Sequence, residues 1–240
     1  TILQKYFPTY GVNNVKYFYL VSFFSSFWFI IGSWLFFVLH FVTNQEFALY
    51  ESVAFLIGAV VEIPSGAFAD LFGKKRTTVL SFYILIIGCI LFALAGFGKP
   101  YLFIGNILII ISFAFKSGSM EALIYDTLLK EKKTKHFDEI LSKTKSLEPL
   151  AQITTAFVGG LLWKISIYGP MIATMIAFTI AGLLAHRFDE VNIEKVGFNF
   201  KNFRNSSRLR GKTAVTTALA FSLMAFLNSD SMKNLTCVRA

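Results

Sequence analysis

The chain has few charged residues and few cysteines. Charged side chains make up 15% of its 240 residues, whereas a soluble globular domain has about 25%. So few charges cannot cover a water-facing surface in the usual way, which excludes an ordinary soluble domain. The two cysteines, Cys89 and Cys237, have neither metal-ligand spacing nor a disulfide framework. We therefore expect no cofactor and no metal site.

The sequence also lacks the patterns of a membrane-embedded enzyme. No apolar segment carries a nucleophile–base pair, an HExxH motif or paired catalytic aspartates, so we expect no catalytic residues. The formal net charge of +9 could suggest a nucleic-acid partner, but the Lys and Arg residues lie in the gaps between apolar segments. A nucleic-acid-binding surface needs its basic residues on one folded face. We therefore expect no nucleic acid as a partner.

The most prominent feature of the sequence is its long apolar segments. Hydrophobic residues account for 55% of the chain, and a helix that crosses a bilayer needs about 20 consecutive, mostly apolar residues. Six segments meet or approach this requirement: residues 17–42, 47–69, 78–97, 101–123, 149–163 and 168–185. The pattern predicts an all-α membrane protein with a bundle of six transmembrane helices, surrounded by lipid.

The sequence after the sixth segment predicts the beginning of a second unit. Residues 1–190 contain the six spans, and the polar, basic residues 191–212 predict a cytoplasmic linker. Residues 213–240 open with an apolar stretch too short to cross a bilayer, which predicts the incomplete start of a seventh helix. Because the chain begins at Thr1 and ends abruptly, we expect a fragment of a longer protein in preference to a chain that pairs with a second copy.

Basic residues collect on one side of the predicted bundle. The segments before the first span, between the second and third, between the fourth and fifth, and after the sixth are rich in Lys and Arg. The alternate connections hold only Lys99 and Lys164. Short loops rich in Lys and Arg face the cytoplasm. We therefore expect an integral membrane protein whose N-terminus is cytoplasmic.

The connection between the fourth and fifth predicted spans is long and charged. Within residues 129–147, Phe137, Ile140 and Leu141 recur at helical spacing, which favours a helix on the membrane surface. A solvated loop explains the composition equally well. Pro149 is expected in the first turn of the fifth span, where its missing N–H has no helical partner to lose.

Residues 66–76, GAFADLFGKKR, join the second and third predicted spans. Glycine permits close approach of helix backbones and tight turns. An aspartate near a helix C-terminus is disfavoured by the helix dipole, so Asp70 needs cationic partners. Asp126 ends the fourth span on the same predicted face. The predicted charge cluster consists of Gly66, Asp70, Gly73, Lys74, Lys75, Arg76 and Asp126.

This stretch resembles the motif G-x-x-x-D-x-x-G-[RK]-[RK]-[RK] between the second and third helices of the major facilitator superfamily. Leu71 stands where that family often has arginine. The sequences EIPSG at residues 62–66 and SGSMEALIYDTL at residues 117–128 are similar to a bacterial branch whose substrates are mostly unassigned. The similarity covers about residues 15–190. The chain does not contain the GPxxGG pattern that is typical of many drug–proton antiporters.

The resemblance implies the amino-terminal half of a twelve-helix secondary transporter in a bacterial cytoplasmic membrane. It also implies that the predicted charge cluster, which includes Asp126, acts as a conformational latch. Such a latch is closed in one state of the transport cycle and loosens in another. The alternative is that these basic residues only fix the topology of the chain.

Three ionisable residues, Glu62, Lys116 and Glu121, interrupt the predicted spans. Such residues are costly in a bilayer and by default indicate function. At a rise of about 1.5 Å per residue, Glu62 and Lys116 lie at similar depth, so we expect an ion pair between them that holds the bundle together. In the competing interpretation they line a cavity, bind substrate or carry a coupling proton, and Gln152 is a further cavity candidate.

The sequence thus predicts secondary active transport of a small solute by alternating access, coupled to an ion such as a proton. The expected partners are the bilayer, the solute and the second six-helix half or a second copy. Two alternatives remain open, a non-transporting membrane receptor or scaffold and an inactive truncated fragment.

Overall fold

Residues 9–191 are described by a computed structural model, and throughout this range the regular structure is helical, without a β-strand. The all-α expectation is therefore confirmed for this part of the chain. Seven α-helices follow one another within it: α1 (Asn13–Ser25), α2 (Trp34–Leu39), α3 (Asn44–Phe72), α4 (Lys74–Ala93), α5 (Lys99–Lys130), α6 (Phe137–Ile165) and α7 (Gly169–Ala185). The predicted linker beyond residue 191 and the predicted seventh membrane helix lie outside the described residues.

Two of the described helices are long and apolar enough to cross a membrane. They are Lys74–Phe97, which is α4 with the 3-10 turn that follows it, and α5. A third is added if Asn44–Glu62 and Pro64–Phe72, which meet at 49° within α3, count as one span. Helix α7 is apolar but shorter, with 17 residues. By length and composition, the chain has the character of an integral membrane protein.

Sequence signals explain the start and the bend of α3. Thr43 caps the helix: its hydroxyl accepts the Glu46 N–H at 3.3 Å, and the Glu46 carboxylate accepts the Thr43 N–H at 2.9 Å. This reciprocal capping box satisfies two backbone donors that a helix start leaves free. The bend falls at Pro64, because proline lacks an N–H and its ring clashes with the preceding turn.

The first predicted span is not one helix, so the expectation of a continuous helix over residues 17–42 is wrong. Helix α1 ends at Ser25, turns follow, and α2 begins at Trp34. The Ser26 hydroxyl bonds to the Ser22 carbonyl at 2.8 Å, and such back-bonding bends helices. Within the turns, the Ile30 N–H bonds to the Thr174 hydroxyl of α7 at 3.3 Å, so this backbone donor is satisfied by a side chain.

The charged connection before the fifth predicted span is helical over its second half. Helix α6 begins at Phe137 and continues without interruption to Ile165. Helicity is therefore confirmed for residues 137–147, but a separate surface helix is not shown, because this part continues directly into the fifth predicted span. Before Phe137, only residues 131–133 lie outside α5 and the 3-10 turn Thr134–His136. The placement of Pro149 in a first turn is wrong, since it lies inside the 29-residue α6.

Hydrogen bonds from Lys143 and then His136 hold the pKa of Glu139, in the first turn of α6, below its ordinary value.

The helices alternate in direction. Helices α3 and α5 run parallel, because Glu46 meets Lys99 near their first residues and Asp70 and Asp126 both reach Lys74 near their last. Helix α4, which begins at Lys74, runs opposite to both. We call the region where Lys74 meets Asp126 the Lys74 end of the bundle, and the region where Glu46 meets Lys99 the Lys99 end.

The remaining helices follow the same alternation. Asn14, at the start of α1, contacts Asp189, just after α7, and Thr127 near the end of α5, so α1 begins and α7 finishes at the Lys74 end. Helix α6 runs antiparallel to α5, since Tyr125 packs on Phe137 and Glu121 pairs with Lys145.

Aromatic rings form much of the core towards the Lys99 end. Phe37 and Phe92 are fully buried, and the Trp34 ring stacks on Phe92 at 4.4 Å between centroids. Trp163 and Tyr168 pack edge-on against Phe37. Stacked and edge-on aromatic pairs add to the large apolar area that each ring buries. This packing holds the six-residue α2, which is too short to be stable by helix propensity alone.

Glycines allow α4 and α5 to come into backbone contact. A Cβ atom on Gly105 would lie 2.5 Å from the Phe92 nitrogen and 2.8 Å from the Gly88 oxygen. Helix α6 makes a similar approach at Gly159, whose Cβ would meet the Phe29 oxygen at 1.9 Å, whereas nothing lies within 4 Å of a Cβ on Gly160. Small residues let membrane helices approach at backbone distance.

Replacing Gly105 with alanine should therefore destabilise the bundle, by about 1–3 kcal/mol, because backbone atoms must shift to admit the methyl group. The matched control is Gly160→Ala, which we expect to be neutral or to stabilise by up to about 1 kcal/mol, because the methyl meets open space and restricts the unfolded chain. Thermal unfolding in detergent, followed by circular dichroism, measures both. Equal effects of the two substitutions would show that α4 and α5 are not in backbone contact at Gly105.

Candidate functional site

Lys74 lies at the centre of an ion-pair cluster that joins three helices. Its ammonium group contacts the Asp126 carboxylate of α5 at hydrogen-bond distance and lies 3.8 Å from the Asp70 carboxylate of α3. The Lys74 and Asp126 side chains are only 18% and 15% exposed, whereas Asp70 is 55% exposed. The structure thus brings together Asp70, Lys74 and Asp126, three of the seven residues of the predicted charge cluster.

Burial makes the two contacts unequal. An exposed ion pair contributes about 0–1 kcal/mol, because water competes with it and salt screens it. A less exposed pair is strongly coupled, since removal of one partner leaves the other without its counter-charge. Lys74–Asp126 is therefore the contact that ties α4 to α5, and Asp70 adds a weaker attraction.

Gly73 makes the turn between α3 and α4. Its φ of 99° lies in the left-handed region that favours glycine. A Cβ at this position would also lie 3.0 Å from the Glu190 carboxylate. The backbone conformation thus favours glycine, and the Glu190 side chain would have to move slightly to admit a Cβ, so the expected tight turn is confirmed.

The remaining predicted members of the cluster lie at its margin. The side chains of Lys75 and Arg76 form no ion pair with any residue in the range 9–191, and Arg76 is exposed. Lys75 takes part through its backbone, whose N–H bonds to the Glu190 carboxylate at 3.3 Å. Gly66 lies one helical turn before Asp70, in the part of α3 that follows the bend.

A short segment after α7, inside the predicted six-span unit of residues 1–190 but in none of its spans, completes the Lys74 end. We call residues 188–190 the α7 extension. Asn14 of α1, which is 2% exposed, accepts the Asp189 N–H at 2.7 Å and donates to the Asp189 carbonyl at 2.9 Å. It also donates to the Thr127 hydroxyl of α5 at 2.8 Å. Through one buried amide, α1 and α5 therefore hold the α7 extension.

The α7 extension also reaches the turn at Gly73. Phe188 is fully buried in the core, and the Glu190 carboxylate accepts the Lys75 N–H in the first turn of α4. A carboxylate at a helix N-terminus is favoured by the helix dipole. The sequence signal for this segment is Phe188 itself, an apolar residue within the charged run HRFDE. Its burial extends the folded unit past the end of α7.

The sequence-predicted pair Glu62–Lys116 does not form. The structure shows no ion pair between these two described residues, and the Lys116 ammonium lies over the Phe113 ring, 5.2 Å from its centroid. Equal depth along two helices was the basis of the prediction. The direction in which a side chain points depends on helix rotation, which changes by about 100° per residue and is set only by packing.

The other predicted cavity residues also lie apart from one another. Glu121 of α5 pairs with Lys145 of α6 at 3.7 Å, with both side chains at least 40% exposed. Gln152 is exposed on α6. The four residues expected to share a cavity are therefore not brought together. Within residues 9–191, no group of three or more His, Cys, Asp or Glu side chains is placed to bind a metal ion.

A polar pair that the sequence reasoning missed lies nearer the Lys99 end. The Asn106 amide of α5, 5% exposed, donates to the Glu51 carboxylate of α3 at 2.8 Å. Both residues line a small pocket between α2, α3, α4 and α5. The available signal was an acidic residue inside the apolar segment 47–69, with asparagine at the same depth in the next parallel helix.

Neutralising Asp126 should cost more stability than neutralising Asp70. We expect Asp126→Asn to lower the unfolding free energy by about 1–3 kcal/mol, since hydrogen bonds to charged groups contribute in this range. The matched Asp70→Asn should cost less than about 1 kcal/mol, as for exposed ion pairs. Chemical or thermal unfolding in detergent at low salt gives both values, and a larger loss at Asp70 would contradict the geometry.

Neither the models of known protein families nor the curated proteins with which the sequence was compared match this chain. Its function is therefore inferred from its own residues and their arrangement.

Proposed function

We propose that this chain is the amino-terminal six-helix half of a secondary transporter. We further propose that the ion-pair cluster of Asp70, Lys74 and Asp126, here called the Lys74 cluster, is its conformational latch. The observation that carries the proposal is the convergence at the Lys74 end. There, α3, α4 and α5 are joined through Lys74, and α1, α5 and the α7 extension are joined through Asn14. Few contacts thus control whether this end of the bundle is closed.

Six crossings are consistent with the alternating helix directions. In this proposal α1 and α2 together form the first crossing, and α3, α4, α5, α6 and α7 form the other five. Broken helices occur at membrane depth where protein surrounds them and supplies partners, and the Ile30–Thr174 hydrogen bond supplies one here. Transporters of this kind place such discontinuous helices beside their substrate pathway.

The lengths of the last two helices fit the same arrangement. At about 1.5 Å per residue, the 17 residues of α7 cover about 26 Å, close to the hydrocarbon thickness of about 30 Å. The 29 residues of α6 exceed it, so its charged first half lies outside the hydrocarbon region. The positive-inside rule then places the Lys74 end and the N-terminus in the cytoplasm, in a bacterial cytoplasmic membrane.

The chemistry of the cluster suits a reversible switch. When the Lys74 end is closed, Lys74 and Asp126 are partly desolvated and attract each other. When it opens, both groups gain water, which offsets the lost attraction. The free-energy difference between the two states is then a few kcal/mol, small enough for ligand binding to shift the equilibrium. Alternating access requires such a bistable element at each end of the substrate pathway.

The resemblance of residues 66–76 to the major facilitator superfamily supports the same function independently. In this reading the bundle moves a small solute by rocking against a second six-helix half, and ion coupling drives the cycle. Leu71 stands where the family often has arginine, and its side chain is 75% exposed. An apolar side chain at this exposed position would face lipid or the second half.

Impermeant thiol reagents test the proposed topology. Single cysteines replace exposed residues in a background with Cys89 and Cys237 changed to serine. We expect Lys99→Cys and Lys164→Cys to react in intact cells, because both lie on the outer face. Arg76→Cys should react only after permeabilisation. Labelling of Arg76→Cys in intact cells would contradict the six-crossing arrangement.

A reporter cysteine tests the latch. Ser119, fully buried, bonds to Thr78 at 2.8 Å between α4 and α5. In the full-length protein, Ser119→Cys should react slowly, and Asp126→Asn should raise its reaction rate several-fold, because the tie between the two helix ends is lost. The matched control, Arg76→Gln, removes a charge of the same motif that forms no ion pair among the described residues, and it should leave the rate unchanged.

The same variants separate the latch from its alternatives. Equal rates in the Asp126→Asn and Arg76→Gln proteins would mean that the basic residues only fix topology. Flux of radiolabelled solutes into proteoliposomes provides the functional measurement, and we expect Asp126→Asn to change the flux of any solute that the wild type carries. Absence of flux for all solutes, together with a stable protein partner, would favour a receptor or scaffold.

A further inference from the structure

The Glu51–Asn106 pair belongs neither to the latch nor to the cavity residues expected from the sequence. Glu51 lies about two helical turns inside α3 from its start at Asn44, and its half-buried carboxylate accepts a hydrogen bond from the Asn106 Nδ2 atom at 2.8 Å. Asn106 is at the corresponding depth in α5. A charged side chain at such a position is rare in membrane helices and indicates a function.

The surroundings of this carboxylate are apolar and mostly aromatic. The other residues around the pocket are Trp34, Val38, Phe47, Tyr50, Phe92, Leu102 and Phe103. None of them carries a formal charge at neutral pH, and Tyr50 is the only other titratable group among them. The pocket volume of about 10 Å³ is close to the minimum of about 10–15 Å³ needed for one water molecule.

No cation of the described chain neutralises Glu51, since none forms an ion pair with it. The charged pair nearest to it in sequence, Glu46–Lys99, is closed on itself at 2.6 Å and lies about 7.5 Å further along the helix axis. From α4 only Phe92 lines the pocket, and the buried thiol of Cys89, one turn earlier on that helix, does not line it. From α2 it receives only Trp34 and Val38.

The choice of asparagine as the partner has a chemical consequence. An ionised carboxylate can only accept hydrogen bonds, whereas a protonated one also has an O–H to donate. Lysine or arginine would pair only with the ionised form. The Asn106 amide serves both, because its N–H₂ group donates to a carboxylate and its carbonyl, after rotation of the amide, accepts from a carboxylic acid.

We propose that Glu51, held by Asn106, is a proton-binding site that exchanges its proton with water entering the pocket. In the uptake step a hydronium ion transfers a proton to a carboxylate oxygen, an O–H bond forms, and water leaves. Release is the reverse step, and no redox partner is needed. Coupling of this proton to solute movement rests on the proposed transport function, whereas proton binding itself does not.

Infrared spectroscopy of the full chain in liposomes tests the site without any substrate. Exposed glutamates titrate as well, so we expect an additional carboxylic-acid C=O band that varies with pH, shifts when the protein carries carbon-13-labelled glutamate, and differs in frequency from the band of water-exposed glutamates because its surroundings are apolar. Glu51→Gln, which keeps the side-chain shape, should remove this band. The matched control Glu46→Gln, on the same helix but paired with Lys99, should leave it in place.

Fluorescence provides a second readout from within the pocket. With Trp28 and Trp163 replaced by phenylalanine, Trp34 emission should titrate together with the infrared band, and Glu51→Gln should abolish that titration. A wild-type protein without this additional, displaced glutamate band overturns the proposal, whether or not the variant folds. Persistence of the band in Glu51→Gln overturns it as well. Neither result depends on flux, so failure of the transport proposal is recognised separately.

Discussion

The backbone contact between α4 and α5 is the constraint on which the rest of the bundle depends. Gly88 and Gly105 let the two antiparallel helices approach so closely that neither position admits a methyl group without a shift of its neighbours. Because α4 also joins α3 through the single turn at Gly73, this contact sets the relative register of three helices. Lys74 meets Asp126 at one end and Glu46 meets Lys99 at the other as results of that register.

Two polar sites of different chemistry follow from the same packing. At the Lys74 end, opposite charges meet at the edge of the bundle, where opening would return them to water at moderate cost. Near the Lys99 end, Glu51 has a neutral amide partner among aromatic rings. The first arrangement suits a contact that breaks and re-forms as a whole, and the second suits the exchange of a single proton. The two sites lie on opposite sides of the bend at Pro64 along α3.

The α7 extension shows why the boundary of the folded unit differs from the boundary of the apolar segments. Its residues are charged apart from Phe188, so their composition does not predict a membrane span. Phe188 is nevertheless buried, and Asn14 binds the backbone of Asp189 with both ends of its amide. The segment after α7 is thereby attached to the Gly73 turn, because the Glu190 carboxylate accepts the Lys75 N–H.

The sequence by itself determined the helical class, the membrane character, the turn at Gly73 and the meeting of Asp70, Lys74 and Asp126. These features depend on local pattern: apolar runs, a glycine between two helices, and charges at helix ends that face one side. Only the tertiary structure decided which side chains inside the bundle meet. Lys116 lies on Phe113 instead of Glu62, Glu51 finds Asn106, and the first span breaks where Thr174 can satisfy the Ile30 N–H. The physical reason is that helix rise fixes depth from sequence position, whereas helix rotation is fixed only by packing against neighbours such as Gly88 and Gly105.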